Sequence, residues 1–514
     1  MIRLYKLLYV LYAIRLLSPS ALFHLIASIY RYGINLMALL HFSARNYGEK
    51  TALVDGVEPL TYNQLLAQSE RLSAVLRGRY GLASGKKAGV ICKNHGSLVK
   101  SIYAVSSTGA DLYLLHAEMS EGHLKQWMES HAFDLLIYDE VLNPLIERSS
   151  YPNAKLLSYH DTLPAINNIL TADGTEPLQR QRSSAGKLVL LTGGTTGKAK
   201  EAVHRPSLFH YLNPFYDFVT RLNILQYRTA YIATPIYHGY GLAVLLLFCA
   251  VGKKVVVQRG FDAEQACRLI REYQVEVVTV VPLMLYRMLK VSTEDLKSLA
   301  CIASGGAELN PKLVKETLSQ LGHVLYNLYG TSEAGLTMIA TPQDLAYSPY
   351  TIGRKIKGVR LKVVDEHKRE VLTNKVGQFC IQHKRLLSRK TSWIETGDLG
   401  YRDQRDYYFL CGRADSMIVS AGENVYPIEV EQILLMHPQV EDAAVIGIRD
   451  EQYGQRLKAI VSLVPGTSAT EEELFKWLQT RLARYQMPKT IEFVEHLPYT
   501  PLGKRDKKQL QSYQ

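Results

Sequence analysis

Several common devices are missing from this chain of 514 residues. Its six cysteines, Cys92, Cys249, Cys267, Cys301, Cys380 and Cys411, are scattered and form no Cys-x-x-Cys pair. That spacing argues against a zinc site, and thiols set in apolar runs suit a reducing compartment. No basic block or nucleic-acid recognition motif is present, so nucleic acid is not expected as a partner. The net charge is nevertheless +12, which suits another anion: a nucleotide, coenzyme A or an acidic lipid. No internal repeat or low-complexity tract appears, and the length calls for more than one domain with an ample core.

Residues 1–42 contain no Asp or Glu at all, only Arg3, Lys6, Arg15 and Arg31 among Leu, Ile, Ala and Tyr. Their longest run free of Lys and Arg, residues 16–30, is too short to cross a bilayer easily. No small-residue cleavage pattern follows, so a signal peptide fits poorly. Ser18-Pro19-Ser20 breaks the run, with Ser18 as a cap and Pro19 in a first turn. The pattern predicts two helices, 4–17 and 19–42, lying in a membrane interface with their basic residues toward lipid headgroups. The competing expectation is a helical hairpin packed on the main domain.

The most informative stretch is 188–200. Four apolar residues, 188–191, form a short buried strand that runs into Thr192, Gly193, Gly194, Thr195, Thr196, Gly197, Lys198, Ala199 and Lys200. Glycines let backbone N–H groups close on a phosphate, the threonines add hydroxyl donors, and the lysines add charge. The Walker spacing does not fit, because three residues separate Gly193 from Gly197 and Ala199 follows Lys198.

Beyond residue 44 apolar strands alternate with helical stretches: strands near 88–91, 134–138, 230–233, 254–258 and 275–281, helices near 99–110, 264–273 and 282–291, and one opening at Thr61. This predicts an α/β protein whose large domain has mostly parallel sheets covered by helices, with ligands beyond the carboxyl ends of strands. The texture changes at Arg413 to short alternating segments and charged helices, which predicts a small α+β domain. The expected boundaries are 1–42, 43–412 and 413–514.

Further strings punctuate this frame. His238 follows a strand end, where it can line a pocket or simply serve structure. Ser304, Gly305, Gly306 and Ala307 follow a strand, and paired glycines let a flat ring lie on backbone. Tyr329, Gly330, Thr331, Ser332 and Glu333 combine a stacking face, hydroxyls and a hard oxygen suited to Mg²⁺. Asp398, read as part of a Thr396-Gly397-Asp398 turn, can accept two hydroxyls; Arg413 offers a fork of donors. Gly422, in a loop before a helix, can let a slim thiol arm pass. Gly503 permits a tight turn that delivers Lys504 into a cleft.

Taken in order, these strings resemble the motifs of the acyl-adenylate-forming superfamily of acyl-CoA synthetases, adenylation domains and luciferases. The likeness spans about residues 44–508, and residues 420–427 have the form common in fatty acyl-CoA synthetases. The resemblance implies a phosphate loop at residues 192–200, an acyl-pocket gate at His238 and an adenine loop at residues 304–307. It implies a second nucleotide motif at residues 329–333 with Glu333 on Mg²⁺, ribose contacts from Asp398 and Arg413, and a hinge at Asp415. Ser420, Ala421 and Gly422 become the CoA side, and Lys504, Glu333, Thr192 and His238 the catalytic set. The chain departs from the family at Ala199, where proline is usual, at Glu201, where glycine is usual, and at Gln378, where an acid is frequent. Its segment 382–395 is short.

The implied reaction is ATP-dependent activation of a medium- or long-chain fatty acid to acyl-AMP, then transfer to CoA. The implied setting is cytoplasmic, on the inner face of a membrane. Two other readings stay open: a ligase that loads a carrier protein, and a degenerate member that binds nucleotide or lipid without turnover.

Overall fold

The computed structural model describes residues 11, 18–56, 58–149, 151–171, 182–192, 200–204, 212–331, 334–384, 391–420, 423–450, 454–500 and 503–513. The chain forms two compact units. One comprises Met1–Val280 with Val291–Ile302, the other Val281–Lys290 with Ala303–Gln514.

The first unit holds two sheets. In one, the strands run Ala154–Leu157, Leu135–Tyr138, Lys87–Ile91, Asp111–Leu114, Leu188–Thr192 and Lys200–His204. All neighbours are parallel except the last pair. In the other, Val277–Val280, Thr229–Ile232, Lys254–Val257 and Thr51–Val54 are parallel, with Pro59–Thr61 antiparallel at the edge. These strands read as continuous apolar runs because both faces are covered. Every residue of the helix Gly96–Thr108 is buried. The helix Tyr62–Gly78 opens on a capping box between Thr61 and Gln64, where the sequence placed its start.

The amino-terminal expectation needs correcting. The predicted helix 19–42 is two helices, Pro19–Tyr32 and Leu36–Tyr47. Ser18 caps the first as expected, its Oγ accepting from the Ala21 amide at 3.2 Å. Gly33 ends it at φ +85°, and a Cβ there would lie 2.4 Å from the Ser183 carbonyl oxygen. Asn35 then caps the second helix by accepting from the Ala38 amide at 3.0 Å. Positive φ and close backbone approach make that position one for glycine, and the chain turns there. The predicted helix 4–17 lies outside the described residues, apart from Leu11. No helix among the described residues is long and apolar enough to cross a membrane.

The second unit carries an antiparallel run in the spatial order Leu361–Val364, Gly377–Lys384, Thr391–Arg402, Tyr408–Arg413, Thr351–Lys355, Gly335–Ala340 and Leu325–Thr331. Beyond Arg413 come a short hairpin, Ile418–Ser420 with Glu423–Val425, and a three-stranded sheet of Val440–Asp450, Gly454–Leu463 and Pro488–Phe493. That sheet and the helices Pro427–Leu435 and Glu471–Gln479 share a core of Val430, Leu434, Val445, Leu457, Leu474, Leu478 and Ile491. The α+β texture expected after residue 413 is present.

Candidate active site

In the second unit the sequence-predicted polar residues meet around Asp398. The Thr396-Gly397-Asp398 string is not a turn, as expected, but part of the strand Thr391–Arg402. Gly397 takes φ +76° inside that strand and the pairing shifts register just beyond, between Leu399 and Gly400. This irregularity lets a strand present an inward carboxylate as a turn would. Asp398 faces Arg413 across the adjacent strand, with Arg413 Nη1 2.8 Å from Asp398 Oδ1. Tyr329 donates its hydroxyl to Asp398 Oδ2 at 2.5 Å, and the Asp398 amide donates to Thr396 Oγ1 at 3.0 Å. Arg413 also reaches Asp415, Nε to Oδ1 at 3.1 Å, so one guanidinium joins the expected ribose and hinge positions.

The electrostatics follow from this packing. Burial raises the Asp398 pKa, against the lowering pull of Tyr329 and Arg413. Burial, then the Asp398 charge, pushes the Tyr329 phenol up, so it stays a proton donor. Lys504 is held below the usual lysine range by desolvation and by the like charge of Arg413, opposed by Asp398. The ammonium of Lys504 is therefore within electrostatic reach of the Asp398–Arg413 pair.

A hairpin turn carries Lys504, which is exposed. Thr500 N–H donates to Lys504 O at 2.7 Å, Gly503 N–H donates to Thr500 O at 2.8 Å, and Gly503 makes the turn at φ +69°. The next residue anchors the hairpin. Arg505 Nη1 lies 2.8 Å from Glu431 Oε2, Nη2 lies 3.1 Å from Asp442 Oδ1, and Tyr499 donates to Asp442 Oδ2 at 2.6 Å. Glu308, one residue past the 304–307 loop, bonds Gln432 and feels Glu431 and Arg505. Desolvation, then Glu431, raises its pKa to about 7.

Ser304 and Gly305 end the strand Cys301–Gly305, and both are buried. Ser304 Oγ is buried with no hydrogen-bond partner among the described residues, as is Ser420 Oγ. Buried hydroxyls left over by the protein are what a ligand with spare polar groups would satisfy. Tyr329, Gly330 and Thr331 lie on the strand Leu325–Thr331. Ser332, Glu333, Ala421 and Gly422 lie outside the described residues.

In the first unit Thr192 and Lys200 pair at the mouth of the strands Leu188–Thr192 and Lys200–His204. Gly193, Gly194, Thr195, Thr196, Gly197 and Lys198 lie outside the described residues, as does Ala199. Glu201 sits on the second of these strands, opposite Leu191. His238 stands at the N-cap of the apolar helix Gly239–Ala250. Its ring packs on Tyr237 at 4.7 Å and edge-on to His116 at 5.5 Å.

His116 was missed by motif reading. It follows the strand Asp111–Leu114, which pairs in parallel with Leu188–Thr192 through Leu114 and Leu190. That register brings the turn holding His116 to the same end of the sheet as Thr192. Arg505 and Glu308 were also missed, since nothing local marks their distant partners.

One other cluster has ligand-like composition. One ligand atom each from Cys92, His95 and Asp139 lies within 4.8 Å of the others. Their polar capacity is already used: His95 Nε2 meets Asp139 Oδ1 at 2.7 Å and its Nδ1 accepts from the Leu98 amide at 3.3 Å. Ser158 and the Lys93 amide fill the rest of the carboxylate. Burial would raise the Asp139 pKa, but these bonds bring it down to about 2. The cluster is a buried helix cap.

This fold sets a carboxylate–guanidinium pair and a lysine hairpin in one unit, the arrangement expected of an adenylate-forming ligase. Residues 40–388 match the family model "AMP-binding enzyme" and residues 429–504 match "AMP-binding enzyme C-terminal domain". The chain belongs to this acyl-adenylate-forming family, whose members here are AMP-forming ligases. It is 29% identical over 496 residues to a fatty acid–[acyl-carrier-protein] ligase, ScoC, of Streptomyces coeruleorubidus, covering 91% of this chain and 94% of that one. It is 28% identical over 466 residues to a 2-succinylbenzoate–CoA ligase of Bacillus licheniformis, covering 88% and 94%. Its fold matches the amide bond synthetase McbA of Marinactinospora thermotolerans with a TM-score of 0.81 at 24% identity, over 93% and 99% of the two chains.

Proposed function

We propose that this ligase activates a medium- or long-chain fatty acid with ATP and passes the acyl group to CoA. In the first step a carboxylate oxygen of the substrate attacks the α-phosphorus of ATP. The bond to the β-phosphate oxygen breaks, giving acyl-AMP and pyrophosphate. The substrate brings its own nucleophile, so the protein positions groups and neutralises charge. Residues 192–200 hold the leaving pyrophosphate, and Mg²⁺ held by Glu333 would shield phosphate charge. Asp398 takes the ribose hydroxyls, Arg413 bridges ribose and phosphate, and Ser304 to Ala307 with Tyr329 face the adenine. Lys504 stabilises charge on the α-phosphate, while His238 lines the acyl side.

In the second step the small domain turns about Asp415. Lys504 withdraws, and Ser420, Ala421 and Gly422 line the approach of the CoA thiol. Its sulfur attacks the acyl carbonyl, the carbon–oxygen bond to AMP breaks, and the thiol proton passes to solvent.

The observation that carries this reading is the Asp398–Arg413 pair, 2.8 Å apart, with Tyr329 donating to the same carboxylate and the Lys504 charge coupled to both. It also speaks against a degenerate member, which has no need to keep all three. The fatty-acid assignment is supported by the ligase from Streptomyces coeruleorubidus and by the apolar amino terminus. The protein works on the cytoplasmic side of a membrane, docked through residues 1–42. A second acceptor, an acyl carrier protein, is favoured by the name of that same relative.

Pyrophosphate release from purified protein tests the first step. It is expected to require both ATP and a fatty acid, and a carboxylate panel gives the preferred chain. No release from folded protein that binds ATP would defeat the proposal. Offering the acyl-AMP either CoA or a phosphopantetheinyl carrier then decides the acceptor by the rate of AMP release.

A further inference from the structure

The helix Pro19–Tyr32 is held on one side and bare on the other. On the held side Ser28 Oγ lies 2.7 Å from His41 Nδ1, His24 Nδ1 lies 3.1 Å from Asn46 Oδ1, and Tyr32 donates its hydroxyl to Glu70. Ala21, Ser28 and Tyr32 are buried there. On the bare side Leu22 is 50% exposed, Phe23 66%, Ile26 59% and Tyr30 78%, and Ile34 in the following turn is 49% exposed. Positions 22, 26 and 30 recur every four residues, so with Phe23 they form one stripe along the helix. Single exposed apolar residues are ordinary, but a contiguous row on a well-anchored helix marks an interaction surface.

Charge selects the partner. Residues 1–42 carry Arg3, Lys6, Arg15 and Arg31 and no acid; Arg31 lies 3.5 Å from Glu70, so the cationic excess comes from Arg3, Lys6 and Arg15. A second copy of the chain would bring two such cationic segments together and be repelled. An anionic lipid surface offers the opposite charge and takes up the apolar row in the same contact. We infer that Leu22, Phe23, Ile26, Tyr30 and Ile34 are the face by which this protein lies on an anionic bilayer, with the helix in the plane of the surface. This rests on the peripheral-membrane part of the proposed function and adds the face and the lipid charge.

The test uses full-length protein with vesicles of phosphatidylcholine alone or mixed with phosphatidylglycerol. Wild type is expected to sediment with the mixed vesicles and to be released by salt. The combined variant Phe23→Ser, Ile26→Ser, Tyr30→Ser should lose at least tenfold in binding while pyrophosphate release with a soluble short-chain acid stays unchanged. In Phe23→Trp the added fluorescence should shift to the blue on binding and be quenched by brominated lipid. Wild type that ignores both vesicle types would sink the peripheral reading itself. Wild type that binds while the triple variant binds equally, with no quenching of the indole introduced by Phe23→Trp, would overturn this face and leave the docking to residues 1–17. A wild-type dimer that the triple variant converts to monomer, with no vesicle binding by either, would show that a second copy covers the row.

Discussion

Arg413 and Asp398 stand directly opposite each other on neighbouring antiparallel strands, 2.8 Å apart through Nη1 and Oδ1. The distance follows from register: Asp398 pairs with Arg413 just before the pairing steps between Leu399 and Gly400, where Cys411 of the partner strand is left over, and Gly397 beside it takes φ +76°. The same Arg413 holds Asp415, so the carboxylate expected to meet the ribose and the expected hinge share one cation.

Gly397→Ala should disturb this pair without touching either charge. The position has φ +76°, and an added Cβ would lie 2.8 Å from Arg413 Nη2. Strain at a left-handed position costs about 1 kcal/mol or more, and the guanidinium must also move. The expected result is a raised KM for ATP with a modest fall in melting temperature. An unchanged KM would show that Arg413 does not read the nucleotide.

Lys504→Ala should separate the two half-reactions. Adenylation should fall by roughly a hundredfold to a thousandfold, as for loss of one transition-state charge contact. Thioester formation from supplied acyl-AMP should persist, because in the proposed second step the lysine is withdrawn. Since desolvation and Arg413 lower the pKa of Lys504, the alkaline limb of adenylation should fall at a pH below the usual lysine value. Equal loss of both half-reactions would remove Lys504 from its role.

Arg505→Met tests what aims that lysine. The substitution leaves Glu431 and Asp442 without their cation, and both are largely buried. Breaking a buried ion pair on one side costs on the order of 3 kcal/mol, visible as a lower thermal midpoint. Adenylation should fall further than thioester formation, and Arg505→Lys should restore part of it. A loss of stability with both half-reactions equally affected would reduce Arg505 to a structural role.

Glu308→Gln should change how stability depends on pH. In the folded chain the Glu308 pKa is raised to about 7, above its ordinary value. Between the unfolded value and 7 the folded state therefore binds more protons than the unfolded one, and stability falls as pH rises. The side chain keeps an exposed part, so solvent mutes the effect. Glutamine keeps the contact with Gln432 and removes the repulsion from Glu431, so its melting temperature should decline less between pH 5 and about 7.5, the span set by this shift. Parallel melting curves for the two proteins would refute the assignment.

Local chemistry wrote much of this protein in advance. The apolar runs foretold buried parallel strands because both faces of such strands need cover, and Ser18, Pro19 and Thr61 marked helix starts because capping is a matter of adjacent residues. The ordered glycine, hydroxyl and lysine strings were enough to place the chain in its family. What no local reading could supply were relationships set by distant partners. Asp398 faces Arg413 through strand pairing, and His116 meets Tyr237 and His238 across the fold. The hairpin that carries Lys504 is tied down by its neighbour Arg505, whose partners Glu431 and Asp442 lie far off in sequence. Capping and burial are decided by neighbours in sequence and by hydrophobicity; charge geometry is decided by which residues folding brings together.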